Sequence, residues 1–424
     1  MSIAEPADAP KIPGPHDPYA ALRVRAFRQY STGFILSVVG QQLQSVAIGW
    51  EVFQRTHKAL SLGWVGLVQA IPVIALALPA GQLADWADRK LVVVVIQSFY
   101  AICSLALAWV SYTHGSIGVI YAILMAGATC TALSWPARQA LLPQIVPTAK
   151  FANAVSWNSS FFQICAAVGP ALGGFLIRWR TWPAFVLDAM CAVACAVLTG
   201  IIRVELIAEK RKPPDLHSVM EGVRFVWRTK IILATLSLDL FAVLLGGAVY
   251  LLPAYADQIL HVGASQFGFL RAAPAVGAVC MAMIVAHRPP MKKAGRAMLL
   301  AVAGFGVATI VFGLSKNYWL SLAMLFLTGA FDNISVIVRH TLVQVMTPDP
   351  MRGRVSAVNG IFIGSSNELG GFESGVTAKF FGLVPSVVLG GIGTLLVVAA
   401  TAIIWPEVAR FGSLADAKAS ETNI

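Results

Sequence analysis

Charge is scarce in this chain of 424 residues: Asp, Glu, Lys and Arg make up 12% of it, roughly half the share of an average soluble protein. Two or three soluble domains, a disordered chain or a coiled coil would each need far more charge than this. Alternating short segments are lacking too. Runs such as Leu91–Val95 and Val387–Ala402 are continuously apolar, which excludes a barrel of strands. The six cysteines (Cys103, Cys130, Cys165, Cys191, Cys195 and Cys280) sit in apolar runs without zinc-ligand company and read as small packing residues. Histidine is equally uninformative: the seven are scattered, and His340 beside Arg339 has no ligand partner at metal spacing. Glycine pairs such as Gly370-Gly371 fall inside apolar runs, not between a strand and a helix, so a phosphate-binding loop is excluded and with it an ATP-driven pump in this chain. No enzyme constellation, metal site or cofactor is expected. Residues 1–27 have no apolar stretch of signal-peptide type, so the first span itself is expected to direct insertion.

What the chain has in abundance is apolar residue, 57% of the total, with a mean hydropathy of +0.74. That is too much for one buried core, so the outside must be apolar as well. A helix crossing a hydrocarbon layer of roughly 30 Å needs about 20 such residues, and twelve of them take up about 240. Spans are predicted at 28–53, 61–84, 91–112, 117–141, 151–177, 183–204, 231–255, 264–287, 296–314, 318–341, 355–378 and 382–405. The expected fold is therefore an all-α membrane protein of twelve transmembrane helices. Its predicted parts are an N-terminal segment (1–27), a six-helix bundle (28–204), a linker (205–230), a second six-helix bundle (231–405) and a tail (406–424).

Lysine and arginine set the predicted orientation. With both termini cytoplasmic, 24 of the 31 fall on the cytoplasmic face, six outside (Arg55, Lys58, Arg178, Arg180, Lys316 and Lys379), and Arg271 within a span. The net charge of +11 is thus spread over the loops of one membrane face, which fits topology and anionic lipid and argues against nucleic-acid binding.

Sliding the chain against itself by about 201 residues aligns Arg138 with Arg339, Leu141 with Leu342, Pro147 with Pro348, Asn158 with Asn359, Gly169 with Gly370 and Gly174 with Gly375. One residue further, Gly66 meets Gly268, Pro72 meets Pro274 and Lys90 meets Lys292. A shift of six spans gives two halves of like orientation, the parallel repeat of transporters that rock about a central cavity. Between the halves, Leu216–Arg228 has the pattern of an amphipathic surface helix.

The loop after the second span reads Gly81-Gln-Leu-Ala-Asp85-Trp-Ala-Asp88-Arg89-Lys90. It resembles the signature loop of the major facilitator superfamily, in which a glycine is followed by an aspartate and a basic cluster. Trp86 stands where the family often has a basic residue, and Asp88 where it often has glycine. Gly81 would allow close helix approach, and the Asp85 carboxylate suits a neighbouring helix N-terminus. In the family that neighbour is the eleventh helix, here beginning near Val355 after Arg352-Gly-Arg354, and the contact implies a cytoplasmic gate. The fifth span reads Gly169-Pro170-Ala-Leu-Gly173-Gly174, similar to the glycine–proline motif of the proton-coupled exporters, with Cys165 at the first expected glycine. Proline there kinks the helix and the glycines permit tight packing. Further stretches are Gly222–Phe225, Leu252–Asp257, Gly268–Ala273 and Gln344–Arg354. With these, nearly the whole chain resembles the exporter branch that includes the enterobactin exporter.

Ionisable groups within a membrane are costly and mark pathways. Asp239, Asp332, Glu368 and Glu373 are the proton-coupling candidates, because taking a carboxylate out of water favours its neutral form. Arg271 and Arg339 are their candidate charge partners. Asp332, Ser335 and Arg339 share one helical face, whereas Glu368 and Glu373, five apart, cannot face a cavity equally. Polar candidates for the cavity wall are Gln41, Gln44, Asn158, Gln163 and Asn367. Glu51 and Asp188, near the outer ends of their spans, are expected to be interfacial or solvated. Arg138 reads as a gate residue or a lipid-facing anchor. The partners implied are a small amphipathic substrate, drug-like or siderophore-like, protons and membrane lipid, and the resemblance implies export by a monomer in the bacterial inner membrane. Uptake by symport and a non-transporting sensor or scaffold are the alternatives.

Overall fold

A computed structural model describes residues 17–203, 216–288, 291, 293–348 and 351–412, without the side chains of Leu78, Asp85, 216–219 and Ala357. Lys292, the linker up to residue 215 and the tail from residue 413 lie outside it. Among the described residues there are helices and turns but no strand. The first half comprises α1 (Arg25–Thr56), α2 (Ala59–Ala75), α3 (Ala77–Trp86), α4 (Arg89–Tyr112), α5 (Ile117–Ile145), α6 (Phe151–Leu176) and α7 (Trp182–Gly200). After α8 (Leu216–Arg228), the second half comprises α9 (Lys230–Leu245), α10 (Leu252–Gln258), α11 (Ala264–Ala286), α12 (Ala294–Leu314), α13 (Tyr318–Met346), α14 (Arg352–Phe381) and α15 (Leu383–Ile404), closed by α16 (Pro406–Arg410).

Nine helical segments of the described residues are long and apolar enough to cross a membrane, with α9 and α10 counted as one. The three remaining spans fall short for physical reasons. α1 carries Gln41, Gln42, Gln44 and Glu51, and α14 carries Ser365, Ser366, Asn367, Glu368 and Glu373, so both trade hydropathy for polar side chains. The other is broken: Pro72 lies within α2, which ends at Ala75, and α3 restarts beyond Leu76. Leucine and isoleucine side chains on the outer surface, such as Leu300 at 72% and Ile403 at 79% exposed, meet lipid in this arrangement.

The seventh span is also broken, where an unbroken helix was predicted over 231–255. α9 stops at Leu245, and a 3₁₀ turn over Ala248–Leu251 leads into α10. The glycines at the break are required by space. A methyl group at Gly247 would lie 2.8 Å from the Gly370 carbonyl, and one at Gly246 would lie 2.6 Å from the Phe305 ring.

The repeat is visible as matched elements. α5 and α13 are both 29 residues long, and each starts after a capping side chain. Ser116 Oγ accepts from Gly118 N at 3.2 Å, and Asn317 Oδ1 accepts from Trp319 N at 2.9 Å. In the first half α1 packs on α6 and α7, and α4 on α5 and α7; in the second, α9 packs on α14 and α15, and α12 on α13 and α15.

The halves meet mainly through α2 with α14 and α6 with α11. Both crossings lie towards the face opposite the chain termini, here termed the far face, and both use glycine. A methyl group at Gly375 would lie 2.6 Å from Gly63 Cα, and one at Gly174 would lie 2.6 Å from Gly268 Cα. Trp50 against Phe267, with ring centroids 5.4 Å apart, and Gln54 Nε2 donating to Asp257 Oδ1 at 3.1 Å complete the closure. The terminal face is looser: methyl groups added at Gly81, Gly353 or Gly360 would meet nothing within 4 Å beyond their own helices and chain neighbours. The predicted close approach at Gly81 is therefore not made here. The amphipathic α8 stands on α14, where Glu221 and Arg354 form an ion pair and Gly222 fits against the Arg354 backbone.

Candidate functional site

A cavity of about 350 Å³ lies between the halves, bounded on the far side by the glycine crossings. Its wall on the first half is neutral and rich in hydrogen-bonding groups: Gln41, Gln42, Gln44, Ser45, Gln69 and Tyr100. The opposite wall carries charge, with Tyr250, Arg271 and Glu368. The break after α9 is what brings Tyr250 there. Its hydroxyl donates to Glu368 Oε2 at 2.6 Å, and its ring lies 5.9 Å beneath the Arg271 guanidinium.

Arg271 has no carboxylate within ion-pair distance among the described residues. Its donors reach the Val249 carbonyl at 3.2 Å and, across the boundary between the halves, Ser45 Oγ at 3.4 Å. Both partners are neutral, so one positive charge faces the cavity with its compensation at a distance.

Of the cavity-wall candidates, Gln41 and Gln44 lie on this cavity, as do the charge-partner candidate Arg271 and the proton-coupling candidate Glu368, while three other polar candidates are elsewhere. Asn158, Gln163 and Asn367 are not part of the wall. Asn367 bonds its own helix through the Ile363 carbonyl at 2.8 Å, and Phe162, next to Gln163, is the residue that faces inward. Glu373 is likewise occupied by its own helix, accepting from Thr377 Oγ1 at 2.7 Å. Position along a span is legible from sequence, whereas rotation about the helix axis is set by packing.

Asp239 and Arg339 form a buried ion pair between α9 and α13. Asp332 and Ser335 join Asp239 around a separate space of about 10 Å³, room for about one water. These acids therefore sit beside the main cavity, not on it.

Two expectations about the first half are overturned, and of the two readings of Arg138 the lipid-facing anchor is excluded. Asp188 is 1% exposed, not solvated, because the face of α7 that bears it packs on α1 and α4, where Ser104 Oγ donates to it at 2.7 Å. Glu51 is buried too, paired with Arg55 and accepting from Ser111 Oγ at 2.7 Å. Arg138 does not face lipid: it is buried and donates to Ser37 Oγ at 3.0 Å.

The signature loop ties three helices of the first half together. Asp88 caps α4 by accepting from Lys90 N at 2.9 Å, which explains an acid where the family often has glycine. Arg89 donates to the carbonyls of Ala84 and Ala140 at 3.1 and 3.0 Å, and Lys90 to that of Ile202 at 2.9 Å, placing cations at the ends of α3, α5 and α7. The Asp85 side chain lies outside the described residues. In the fifth-span motif, Gly169 and Gly173 fit against Gln42 and Val46 of α1, while Gly174 and the Pro170 carbonyl meet Gly268 of α11.

Tyr100, Tyr250, Gln42, Gln69 and Ser45 were not foreseen. A tyrosine in an apolar run looks like packing, although its hydroxyl needs a partner when buried, and that is the usable signal.

Comparison with known proteins agrees with this architecture. Residues 16–421 match the family described as transmembrane secretion effectors within the major facilitator superfamily. The staphyloferrin A transporter of Staphylococcus aureus is 24% identical over 386 residues, 87% of this chain and 93% of that protein. The enterobactin exporter of Escherichia coli is 25% identical over 399 residues, 91% of this chain and 93% of that protein. Among solved structures, a nucleoside transporter superposes with a TM-score of 0.70 at 12% identity, covering 90% of this chain and 99% of its own. A D-xylose–proton symporter superposes with a TM-score of 0.67 at 13% identity, covering 95% and 99%. This chain belongs to the transmembrane secretion effector family of the major facilitator superfamily and is a multi-pass membrane transporter.

Proposed function

We propose that the protein exports a small, anionic, siderophore-like compound in exchange for protons, by alternating access across the bacterial inner membrane. The observation that carries this reading is the cavity itself: the Arg271 guanidinium, with no carboxylate within ion-pair distance among the described residues, facing a wall of glutamine, serine and tyrosine. Such a wall suits a ligand with carboxylates or phenolates and many hydrogen-bonding oxygens. The two relatives are named as a transporter of staphyloferrin A and an exporter of enterobactin, which supports a siderophore-like substrate class.

In the proposed cycle residues 28–204 and 231–405 rock as two bundles, and the termini lie in the cytoplasm. The present state is then closed to the periplasm by the glycine crossings and open towards the cytoplasm. The opposite state is latched by Asp85 against the start of α14, and protonation of Glu368, Asp239 or Asp332 drives the exchange between the two. Glu373 stands apart, because its carboxylate is held by its own helix. The transporter works as a monomer, since both cavity walls come from one chain.

The test uses proteoliposomes with an imposed pH gradient and iron-free staphyloferrin A or enterobactin as probe. Accumulation against the direction of proton flow, abolished by a protonophore, is the expected result. Accumulation along the direction of proton flow would establish uptake by symport instead, and movement indifferent to the protonophore would remove proton coupling altogether.

A further inference from the structure

The first half contains a buried acid that the cavity chemistry above leaves unused. Asp188 on α7 accepts from Ser104 Oγ at 2.7 Å and from Gln44 Nε2 at 2.9 Å, both through Oδ2. Gln44 Oε1 in turn accepts from the Tyr100 hydroxyl at 3.1 Å. The other carboxylate oxygen, Oδ1, has no hydrogen-bond partner and rests against Gly40, where an added methyl group would lie 2.5 Å away.

The groups around Asp188 supply no counter-charge. α4 presents the Tyr100 hydroxyl and, next to Ser104, the Cys103 thiol; α7 itself presents Cys191. Arg138 of α5 reaches Cys195 and Ser37, two turns further along α7. On α1, Glu51 is engaged by Arg55 and Ser111, two turns from Gln44. α6 carries no charged side chain. An unpaired carboxylate charge this far from water is costly, and hydroxyl and amide donors offset only part of the cost. Taking up a proton removes it.

The repeat argues that this cluster is not needed to hold its helices together. At a shift of 202 residues, Asp188 meets Gly390, Ser104 meets Gly306 and Gln44 meets Gly246. All three are glycine, and the second half packs α9, α12 and α15 there backbone to backbone: Gly390 against the Leu245 carbonyl, Gly306 against the Gly391 carbonyl. The same helix triad is thus built once with an acid, a hydroxyl and an amide at these positions and once with glycine at all three.

Gln44 and Tyr100 both line the cavity. While Asp188 is ionised, it holds the Gln44 amide with its nitrogen inward and its oxygen on Tyr100. A proton from water that bonds to Oδ2 makes that oxygen a donor, whose better partner is the amide oxygen. The amide then turns over, and the Tyr100 hydroxyl is released towards the substrate. We propose that Asp188 is the proton-binding site of the first half, read out in the cavity through the Gln44 amide and the Tyr100 hydroxyl. This rests on the proton-coupled reading above.

The test is infrared spectroscopy of the full chain in lipid nanodiscs across a pH titration, following the C=O stretch of protonated carboxyl groups. One pH-dependent component should vanish in Asp188→Asn and persist in Asp239→Asn, Asp332→Asn and Glu368→Gln. In Gln44→Leu, which keeps the acid, the midpoint of that component should move by about one pH unit, a tenfold change in proton affinity. Identical spectra for the wild type and Asp188→Asn overturn the assignment. Loss of the component in Glu368→Gln or Asp332→Asn instead overturns it while leaving proton coupling intact. Protonophore-insensitive transport removes the reading on which it rests.

Discussion

Arg339 of α13 pairs with the Asp239 carboxylate of α9, both side chains under a tenth exposed, at the place where the first half joins Arg138 to Ser37. The repeat conserves the arginine and changes its partner, so a proton can open the contact in one half only. Asp239→Asn would strand Arg339 without its anion. Breaking a buried pair from one side costs about 3–5 kcal/mol, whereas removing a hydrogen bond from a charged group to a neutral one costs about 1.5–3 kcal/mol. Thermal unfolding in detergent should therefore show a large loss for Asp239→Asn, a smaller one for Ser37→Ala, and partial recovery in the double variant Asp239→Asn with Arg339→Gln. Equal melting of the single and double variants at position 239 would mean that the two charges do not support one another.

Glu368 is the acid on the wall of the main cavity. Glu368→Gln keeps an oxygen for the Tyr250 hydroxyl but cannot take up a proton. Membrane abundance and substrate exchange without a gradient should stay within a few-fold of wild type, while gradient-driven accumulation is lost. Retained accumulation would move the coupling role to the Asp239–Asp332 pair or to Asp188.

Arg271 should set the charge of the substrate. Charge-assisted hydrogen bonds contribute about 1.5–3 kcal/mol, so Arg271→Gln should weaken binding of an anionic probe by roughly 10- to 100-fold. A neutral probe of similar size should be affected far less, and calorimetry on the purified transporter with both probes separates the two cases. Arg271→Lys should recover only part of the affinity, because an ammonium lacks the planar fork that holds Val249 and Ser45 together.

Most of the fold could be read directly, because a run of twenty apolar residues has few other uses, and the matched starts of α5 and α13 follow from one repeat. The break after α9 could not. Gly246 and Gly247 end that helix only because Phe305 and Gly370 occupy the space beside them, and those residues are distant in sequence. Depth was legible for the polar residues and azimuth was not. Gln44 and Glu368 turn into the cavity, Asn367 turns back to its own helix, and Asp188 turns into a seam that its nearness to a helix end concealed. Tyr250 escaped notice for a related reason: its value lies in a hydroxyl that acts only once Glu368 is brought beside it.

The far-face closure should be the most sensitive point to added bulk. Gly174 of α6 and Gly268 of α11 come so close that a methyl group at Gly174 would lie 2.6 Å from Gly268 Cα and 2.7 Å from the Ala264 carbonyl. These are backbone atoms, so a rotamer change cannot relieve the clash. Gly174→Val should therefore leave each half folded and drive the two apart at this face, shifting the population towards the opposite state. By contrast Gly81→Ala, with open space beside it here, should leave the present state undisturbed. Spin labels at Trp179 and Gln266, in a background with the six native cysteines replaced, report the separation directly. Longer distances in Gly174→Val and unchanged ones in Gly81→Ala are expected. An unchanged distribution in Gly174→Val would mean that the α6–α11 crossing yields elsewhere, and that glycine at this position serves local packing alone.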